Sequence, residues 1–332
     1  MVSHKKPDIV FFEAFDEEQE LLRKICPAHV HAEFTPLTIQ EARLVKAPAR
    51  FLSIRTQSRI PLLWKDDIDG VLTRSTGFDH VLAYKQETRT QAALGYLPVY
   101  CSRAVAEQAI AMMLSLMRKL PSQQRSFQQF HRNGLTGQEC QGKRLLVVGV
   151  GNIGAEIVDI AHGLRMKVAG VDIDRKLPSL EYIDLVPGLA WADVIICAAA
   201  LTEETKNMLD YDMLRRVRTG AIFINIARGE ISPLGGLKRL MDEKILSGLG
   251  LDVFEDEHIL AHDLRAGLHS SKSASTVCAL ELAQYSNVVF TPHNAFNTQE
   301  ALARKADQAM ESVVLFLAEN KFPFPIPETH NS

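Results

Sequence analysis

No two of the five cysteines (Cys26, Cys101, Cys140, Cys197 and Cys278) form a CxxC pair, and their number is odd. Such spacing offers neither a disulfide framework nor a zinc-ligand set, and suits small apolar groups buried in a reducing compartment. No apolar run is long enough to span a bilayer, and Met1 to Lys6 leads into a strand-like run with no signal-peptide core between them. A cytoplasmic location is therefore expected. An excess of one charge is also missing: 37 Lys and Arg against 40 Asp and Glu leave a formal charge of -3 and a pI near 6.4. Without a global positive field, neither nucleic acid nor an anionic membrane is expected as a partner. Repeats and long linkers are lacking too.

What is present is an ordinary globular composition, 46% hydrophobic and 23% charged, over 332 residues, which is enough for two domains with a core each. Up to about residue 100, short apolar runs (Asp8 to Phe12, Phe51 to Arg55, Val71 to Thr73, Val99 to Cys101) alternate with helix-like stretches such as Glu17 to Ile25. That rhythm predicts a small α/β unit with a parallel sheet. A helix from Ser102 to about Leu120 follows. It is apolar on two faces, Ile110, Met113, Leu114 and Met117 on one and Val105, Met112 and Leu116 on another. Such a helix has to be covered on most sides, by a second domain of the same chain or by a symmetric partner.

From Lys143 the strand and helix alternation is plain. Strands are predicted at Arg144 to Val148, Lys167 to Val171, Asp193 to Ala198, Ala221 to Ile226, Gly248 to Val253 and Val288 to Thr291. Their runs are continuous, as in a parallel sheet covered by helices on both faces, and six of them fit a doubly wound nucleotide-binding domain. His258 to Ser286, containing Ser270 to Ser275, reads as a surface excursion. A last helix is expected from Thr298 to near Asn320. The tail Phe322-Pro323-Phe324-Pro325-Ile326-Pro327 cannot be helical and is expected to lie extended on the surface.

Gly149-Val150-Gly151-Asn152-Ile153-Gly154 follows one strand, Leu145 to Val148, and opens a helix striped with Ile153, Ile157, Ile160 and Leu164. Gly149 permits the tight turn, Gly151 lets a pyrophosphate approach the backbone, and Gly154 lets helix and strand pack closely. Helix N–H groups and the helix dipole would then face the phosphates. A Gly-rich turn with no ligand is the plain alternative. Asp172, ending the next strand, suits the adenosine ribose hydroxyls and would repel a 2'-phosphate, so NAD is expected rather than NADP. Arg175 stands close by, either as a solvated arginine or as a group that softens this preference.

Three residues downstream, each predicted at a strand end, suit hydride chemistry on a 2-oxo acid: Arg228, Glu257 and His293. Arg228 has the forked geometry that holds a carboxylate and polarises a carbonyl. An imidazole such as His293 carries and releases a proton near neutral pH. Glu257, bonded to the other ring nitrogen, would hold the tautomer and favour the charged ring. Each has a plainer reading: a surface arginine, a solvated acidic run (Glu255, Asp256, Glu257), and one of eleven histidines, with His258 the rival for the acid role.

With these motifs the sequence resembles the D-isomer-specific 2-hydroxyacid dehydrogenases over nearly its whole length. Ser75-Thr76-Gly77-Phe78-Asp79-His80 looks like the family's substrate loop and Ala104-Val105-Ala106-Glu107 like the start of its crossing helix. The resemblance implies two Rossmann-like, doubly wound parallel-sheet domains with an interdomain cleft: a substrate domain of residues 1–101 with 299–332, and an NAD-binding domain of residues 102–298. It implies a homodimer, and a catalytic set of Arg228, Glu257 and His293. The implied cofactor set is Gly149, Gly151, Asn152, Ile153, Gly154, Asp172, Thr202, Ala227 and Asp252, the last supporting the nicotinamide side. The implied substrate set is Ser75, Thr76, Gly77, Tyr100, Arg228 and Phe296, with backbone N–H groups near Thr76 and Gly77 holding the carboxylate.

Tyr100 and Ala295-Phe296 look most like the D-lactate and D-2-hydroxyisocaproate branch, which favours small aliphatic 2-oxo acids over phosphorylated ones. The chain departs from that branch in three places. Phe15 stands where lactate-type members tend to carry an arginine, Ala200 where a proline is usual, and His258 where a proline commonly follows the glutamate. The Phe15 change bears on the identity of the substrate more than on the reaction. Two other functions share the architecture: an NAD(H)-responsive scaffold similar to the C-terminal-binding co-repressors, and oxidation of another donor such as phosphite. Glu257 in place of a glutamine disfavours a formate-type donor.

Overall fold

In the computed structural model, residues 6–267 and 273–327 are described. The chain forms two compact units: residues up to Cys101 together with those from Asn297 onward, and Ser102–Phe296.

The first unit has a five-stranded parallel sheet of β1 (Ile9–Phe11), β2 (Ala32–Phe34), β3 (Phe51–Ile54), β4 (Gly70–Thr73) and β5 (Ala93–Gly95), in the order β2-β1-β3-β4-β5. Phe12, Leu52, Ile54, Trp64 and Val71 are buried in one core cluster of this unit. The long helix Gln299–Glu319 sets Phe316 on the ring of Phe51, with centroids 4.3 Å apart. Its ends are defined by the Thr298 hydroxyl, which accepts the Ala301 N–H, and by Asn320 in left-handed backbone.

Two expectations for this unit are corrected. Val99 to Cys101 is not a strand; β5 lies earlier, and the segment after it is irregular, broken by Pro98, which has no N–H to give a ladder. The tail is extended as expected but is not a surface segment. Phe322 and Ile326 are buried, and Phe322 stacks on Phe316 with centroids 4.9 Å apart. The backbone of Phe324 accepts from Tyr96, and Ile326 donates to Leu94, so the prolines occupy the sheet edge, where their missing donors cost nothing. β5 carries Gly95 where any Cβ would meet the Phe322 ring at 2.4 Å.

The second unit has a seven-stranded parallel sheet of β6 (Arg144–Val148), β7 (Lys167–Val171), β8 (Glu181–Tyr182), β9 (Val194–Cys197), β10 (Ala221–Asn225), β11 (Leu246–Leu251) and β12 (Val288–Phe290). The order is β12-β11-β10-β9-β6-β7-β8. Counted from β6, it is 3-2-1-4-5-6 with a seventh strand added, the doubly wound dinucleotide-binding order. β8, two residues at the edge, is one more strand than the six predicted. The helix Ser102–Met117 is covered within this unit by the helix Asn152–Gly163 and by β10 to β12. Leu116 and Met112 lie 3.4 Å from the places where Gly248 and Gly250 would carry a Cβ. Residues 258–286 are more than a surface excursion: the helices Glu257–Arg265 and Ala274–Leu282 bury Leu260, Ala279 and Leu282 in the unit's core. Of the serine-rich run between them, 270–272 lie outside the described residues.

Candidate active site

The turn after β6 is shaped by contacts that exclude side chains. Gly149 has φ +89°, and a Cβ there would meet the Ala199 nitrogen at 2.4 Å; a Cβ on Gly154 would meet the Gly149 carbonyl oxygen at 2.1 Å. Around Gly151, by contrast, nothing lies within 4 Å of a built Cβ. The turn is closed against its own fold and open at one glycine, and the helix Asn152–Gly163 begins there with no side chain capping it. Its first N–H groups stay available to an anion. The residues present therefore fit a dinucleotide pyrophosphate.

Asp172 stands directly after β7. Its carboxylate accepts the Val150 N–H at 2.5 Å and the Asp174 N–H at 2.9 Å, which fixes it against the turn. The Thr202 N–H donates to the Thr205 hydroxyl at 2.7 Å in the loop after β9.

β10 ends in Asn225, fully buried, whose amide donates to the Arg228 carbonyl and to the Ser232 hydroxyl at 2.8 Å each, while its own carbonyl accepts the Ala227 N–H at 2.9 Å. Asn225 is the bracket for the Arg228 loop, a role sequence reading did not assign. The polar end of an otherwise apolar strand was its only signal. Arg228, half-buried, donates from Nη1 to the Ala227 carbonyl at 2.8 Å.

Glu257 opens its helix after β11, and His293 lies beyond β12 in left-handed backbone, φ +51°. The two meet: His293 Nδ1 is 2.8 Å from Oε1 and 2.9 Å from Oε2 of Glu257, both side chains about one-fifth exposed. Glu257 thus engages the ring of His293. With Nδ1 committed, Nε2 is the nitrogen left to face a substrate.

Beneath this pair lies Asp252, 1% exposed. It accepts the Thr291 hydroxyl, the Asn294 N–H at 2.9 Å and the Ala295 N–H at 3.0 Å. Burial pushes its carboxyl up, against the opposing pull of His293 and these donors. Phe296 and Ala295 are buried just beyond.

In the first unit, Ser75 follows β4 and bridges the Thr73 hydroxyl at 2.6 Å and the Gly77 carbonyl at 2.7 Å. Thr76 reaches the Cys101 thiol at 3.5 Å, next to Tyr100, whose phenol burial raises well above its ordinary range. Under this loop, the fully buried Arg74 binds Glu18 at 2.8 Å, Ser53 at 3.0 Å and the Phe12 carbonyl at 2.8 Å. Lys305, also buried, lies 2.7 Å from Glu18. Burial alone would raise the Glu18 carboxyl, but Arg74 and Lys305 hold it well below the usual carboxylate range.

Doubly wound order, an open glycine turn and a histidine held by a partly buried glutamate define a dinucleotide-dependent dehydrogenase. The family model for the D-isomer specific 2-hydroxyacid dehydrogenase, NAD binding domain, matches residues 110–295, and the chain belongs to that family. It is 30% identical to the 2-hydroxyacid dehydrogenase A of Aspergillus oryzae over 256 residues, 74% of this chain and 70% of that one. It is also 30% identical to the D-lactate dehydrogenase of Escherichia coli over 262 residues, 76% and 77% of the two chains. A crystal structure of D-lactate dehydrogenase from Aquifex aeolicus, complexed with NAD and lactic acid, superposes with a TM-score of 0.82 at 25% identity, covering 95% of this chain and 98% of that one. The protein is an NAD-dependent oxidoreductase of 2-hydroxy acids. No helix among the described residues is long and apolar enough to cross a membrane.

Proposed function

We propose that the protein interconverts a small, non-phosphorylated 2-oxo acid and its D-2-hydroxy acid, with His293 as proton donor and acceptor. The observation that carries this reading is the His293 to Glu257 contact at 2.8 Å, behind a turn that fits a pyrophosphate. Glu257 keeps a proton on Nδ1 and fixes the orientation of the ring, so that Nε2 delivers its proton to the carbonyl oxygen as C2 is reduced. Arg228 holds the carboxylate and polarises the carbonyl, and backbone N–H groups near Thr76 and Gly77 are assigned to the same carboxylate. Tyr100 and Phe296, both buried, are assigned as apolar contacts of the carbon chain.

The cofactor is held by Gly149, Gly151, Asn152, Ile153 and Gly154 at the pyrophosphate and by Asp172 at the ribose, with Thr202 and Ala227 beside it and Asp252 on the nicotinamide side. When bound, NAD(H) supplies or accepts the hydride at C2.

A homodimer in the cytoplasm completes the reading. It is supported by the exposed apolar side chains Leu120, Phe127 and Phe130 in the segment after Met117, between 50% and 72% exposed.

His293→Ala tests the central assignment. NADH affinity, read by fluorescence titration, should stay within about threefold, while turnover falls by about 10²–10⁴. Equal loss of both would remove His293 from the proton-transfer role.

A further inference from the structure

In an open α/β sheet the ligand crevice lies at the carboxyl ends of the two neighbouring strands whose connections leave in opposite directions. In the first unit those strands are β1 and β3, since β1 leads to β2 on one side and β3 to β4 on the other. Phe15 follows β1 and Arg55 follows β3 directly. The two side chains meet: the guanidinium carbon of Arg55 stands 5.4 Å from the centroid of the Phe15 ring. A cation on an aromatic face is held in place there.

The loop that carries Arg55 is fixed as well. The Glu13 carboxylate, itself beyond β1, accepts the backbone N–H groups of Arg55 at 3.0 Å, Gln57 at 3.1 Å and Ser58 at 3.0 Å. Other cations gather at the same place. Lys305 Nζ lies 5.7 Å from the ring centroids of both Phe15 and Tyr100, and Arg304 donates to the Tyr100 carbonyl at 2.9 Å. The charge of Arg55 acts on Tyr100, Glu18 and Lys305 alike. Glu18 is held by Arg74 and Lys305, and Glu13 by three backbone donors. At the crevice end of this unit a half-buried guanidinium, that of Arg55, lies on an aromatic wall.

A monocarboxylic 2-oxo acid has one anionic group, and the proposed reading already commits it to Arg228 and the Thr76 to Gly77 backbone. A further guanidinium matches a further anion. We propose that Arg55, laid on Phe15, is the specificity-determining cation of this enzyme and reads a second carboxylate, so that short 2-oxo dicarboxylates are preferred over aliphatic 2-oxo acids of equal length. This rests on the reading of the protein as a 2-oxo acid reductase.

The test compares kcat/KM of the wild type, Arg55→Met and Arg55→Lys on four- and five-carbon 2-oxo dicarboxylates and on 2-oxobutyrate and 2-oxovalerate. The wild type should favour the dicarboxylates by about tenfold or more. Arg55→Met should lose about a hundredfold on them, mostly in KM, and several-fold at most on the monocarboxylates; Arg55→Lys should recover part of the loss. An equal loss on both classes, or a wild-type preference for monocarboxylates, overturns the proposal while leaving the reductase reading intact. Calorimetric titration of D-malate and D-2-hydroxybutyrate into the protein saturated with NADH provides a readout without turnover. Tighter D-malate binding that Arg55→Met abolishes supports the assignment, and equal binding overturns it. Absence of turnover on every acid would instead sink the reductase reading.

Discussion

His293 occupies left-handed backbone, a region costly for a residue with a Cβ, and Asp252 is what keeps it there. Removing that carboxylate strands the buried Ala295 N–H, the Asn294 N–H and the Thr291 hydroxyl. Asp252→Ala should therefore cost about 2–4 kcal/mol in urea unfolding and lower turnover as the ring loses its aim. Lys305 makes the opposite prediction. Glu18 is one anion between two cations, and an arginine does not give up its proton, so burial falls on the lysine and pulls it from 10.5 to about 7. Between those two values the unfolded chain binds more protons than the folded one, so the cost of burying Lys305 is full below pH 7 and fades toward pH 10.5. Lys305→Met should raise stability at pH 7 by about 1–4 kcal/mol, and the gain should shrink at pH 9.5; a constant gain across that range would contradict the assignment. At this scale the sequence was legible for residues that follow a strand of plain apolar pattern, as Arg228 and His293 do. It could not show that Glu257 reaches His293, because 36 residues separate them and only the order β12-β11-β10 brings their loops together. Asn225 was missed because its work is internal to its own loop.

Elements with a continuous apolar run and a glycine or capping residue at the end were readable to within two residues, as β6, β7 and the Thr298-capped helix illustrate. β2, β5 and β8 were not: β1 and β12 are as short as β2 and β5 but are unbroken apolar runs, whereas β2, β5 and β8 carry a glutamate or a glycine and draw their pairing from a neighbour. The tail was misjudged for a related reason: its prolines exclude helix, but whether its alternate apolar residues are buried depends on a sheet edge more than 200 residues away. Phe322→Ala tests its place in the fold. The loss should be about 3–5 kcal/mol, the cost of a large buried aromatic, and a change under 1 kcal/mol would return the tail to the surface. The Arg228 loop makes a second prediction at this scale. A Cβ on Gly229 would meet the backbone of Phe254 and Glu255 at 1.9 to 2.0 Å, so the loops after β10 and β11 are in backbone contact. Gly229→Ala should push them apart and cost at least about tenfold in kcat/KM even where the protein stays folded, because those loops carry Arg228 and Glu257, the partner of His293.

Across the whole molecule, two parallel sheets each have a point where the winding direction reverses, between β1 and β3 in one unit and between β6 and β9 in the other. The glycine turn stands at the second and the Phe15 and Arg55 pair at the first, so the same topological rule places both groups of residues. Light scattering on the eluting protein should give twice the 37.0 kDa of one chain if the exposed Leu120, Phe127 and Phe130 form a partner face. Replacing the two phenylalanines by serine should then shift the mass toward that of the monomer. Both units serve one reaction. It is tested most directly by following NADH oxidation against a panel of 2-oxo acids, pyruvate through 2-oxoisocaproate with phenylpyruvate, 3-phosphohydroxypyruvate and the short dicarboxylates, with chiral analysis of the product. Turnover of at least one non-phosphorylated acid to its D-alcohol is expected. Tight NADH binding with no turnover of any acid, or an L-product, would contradict it.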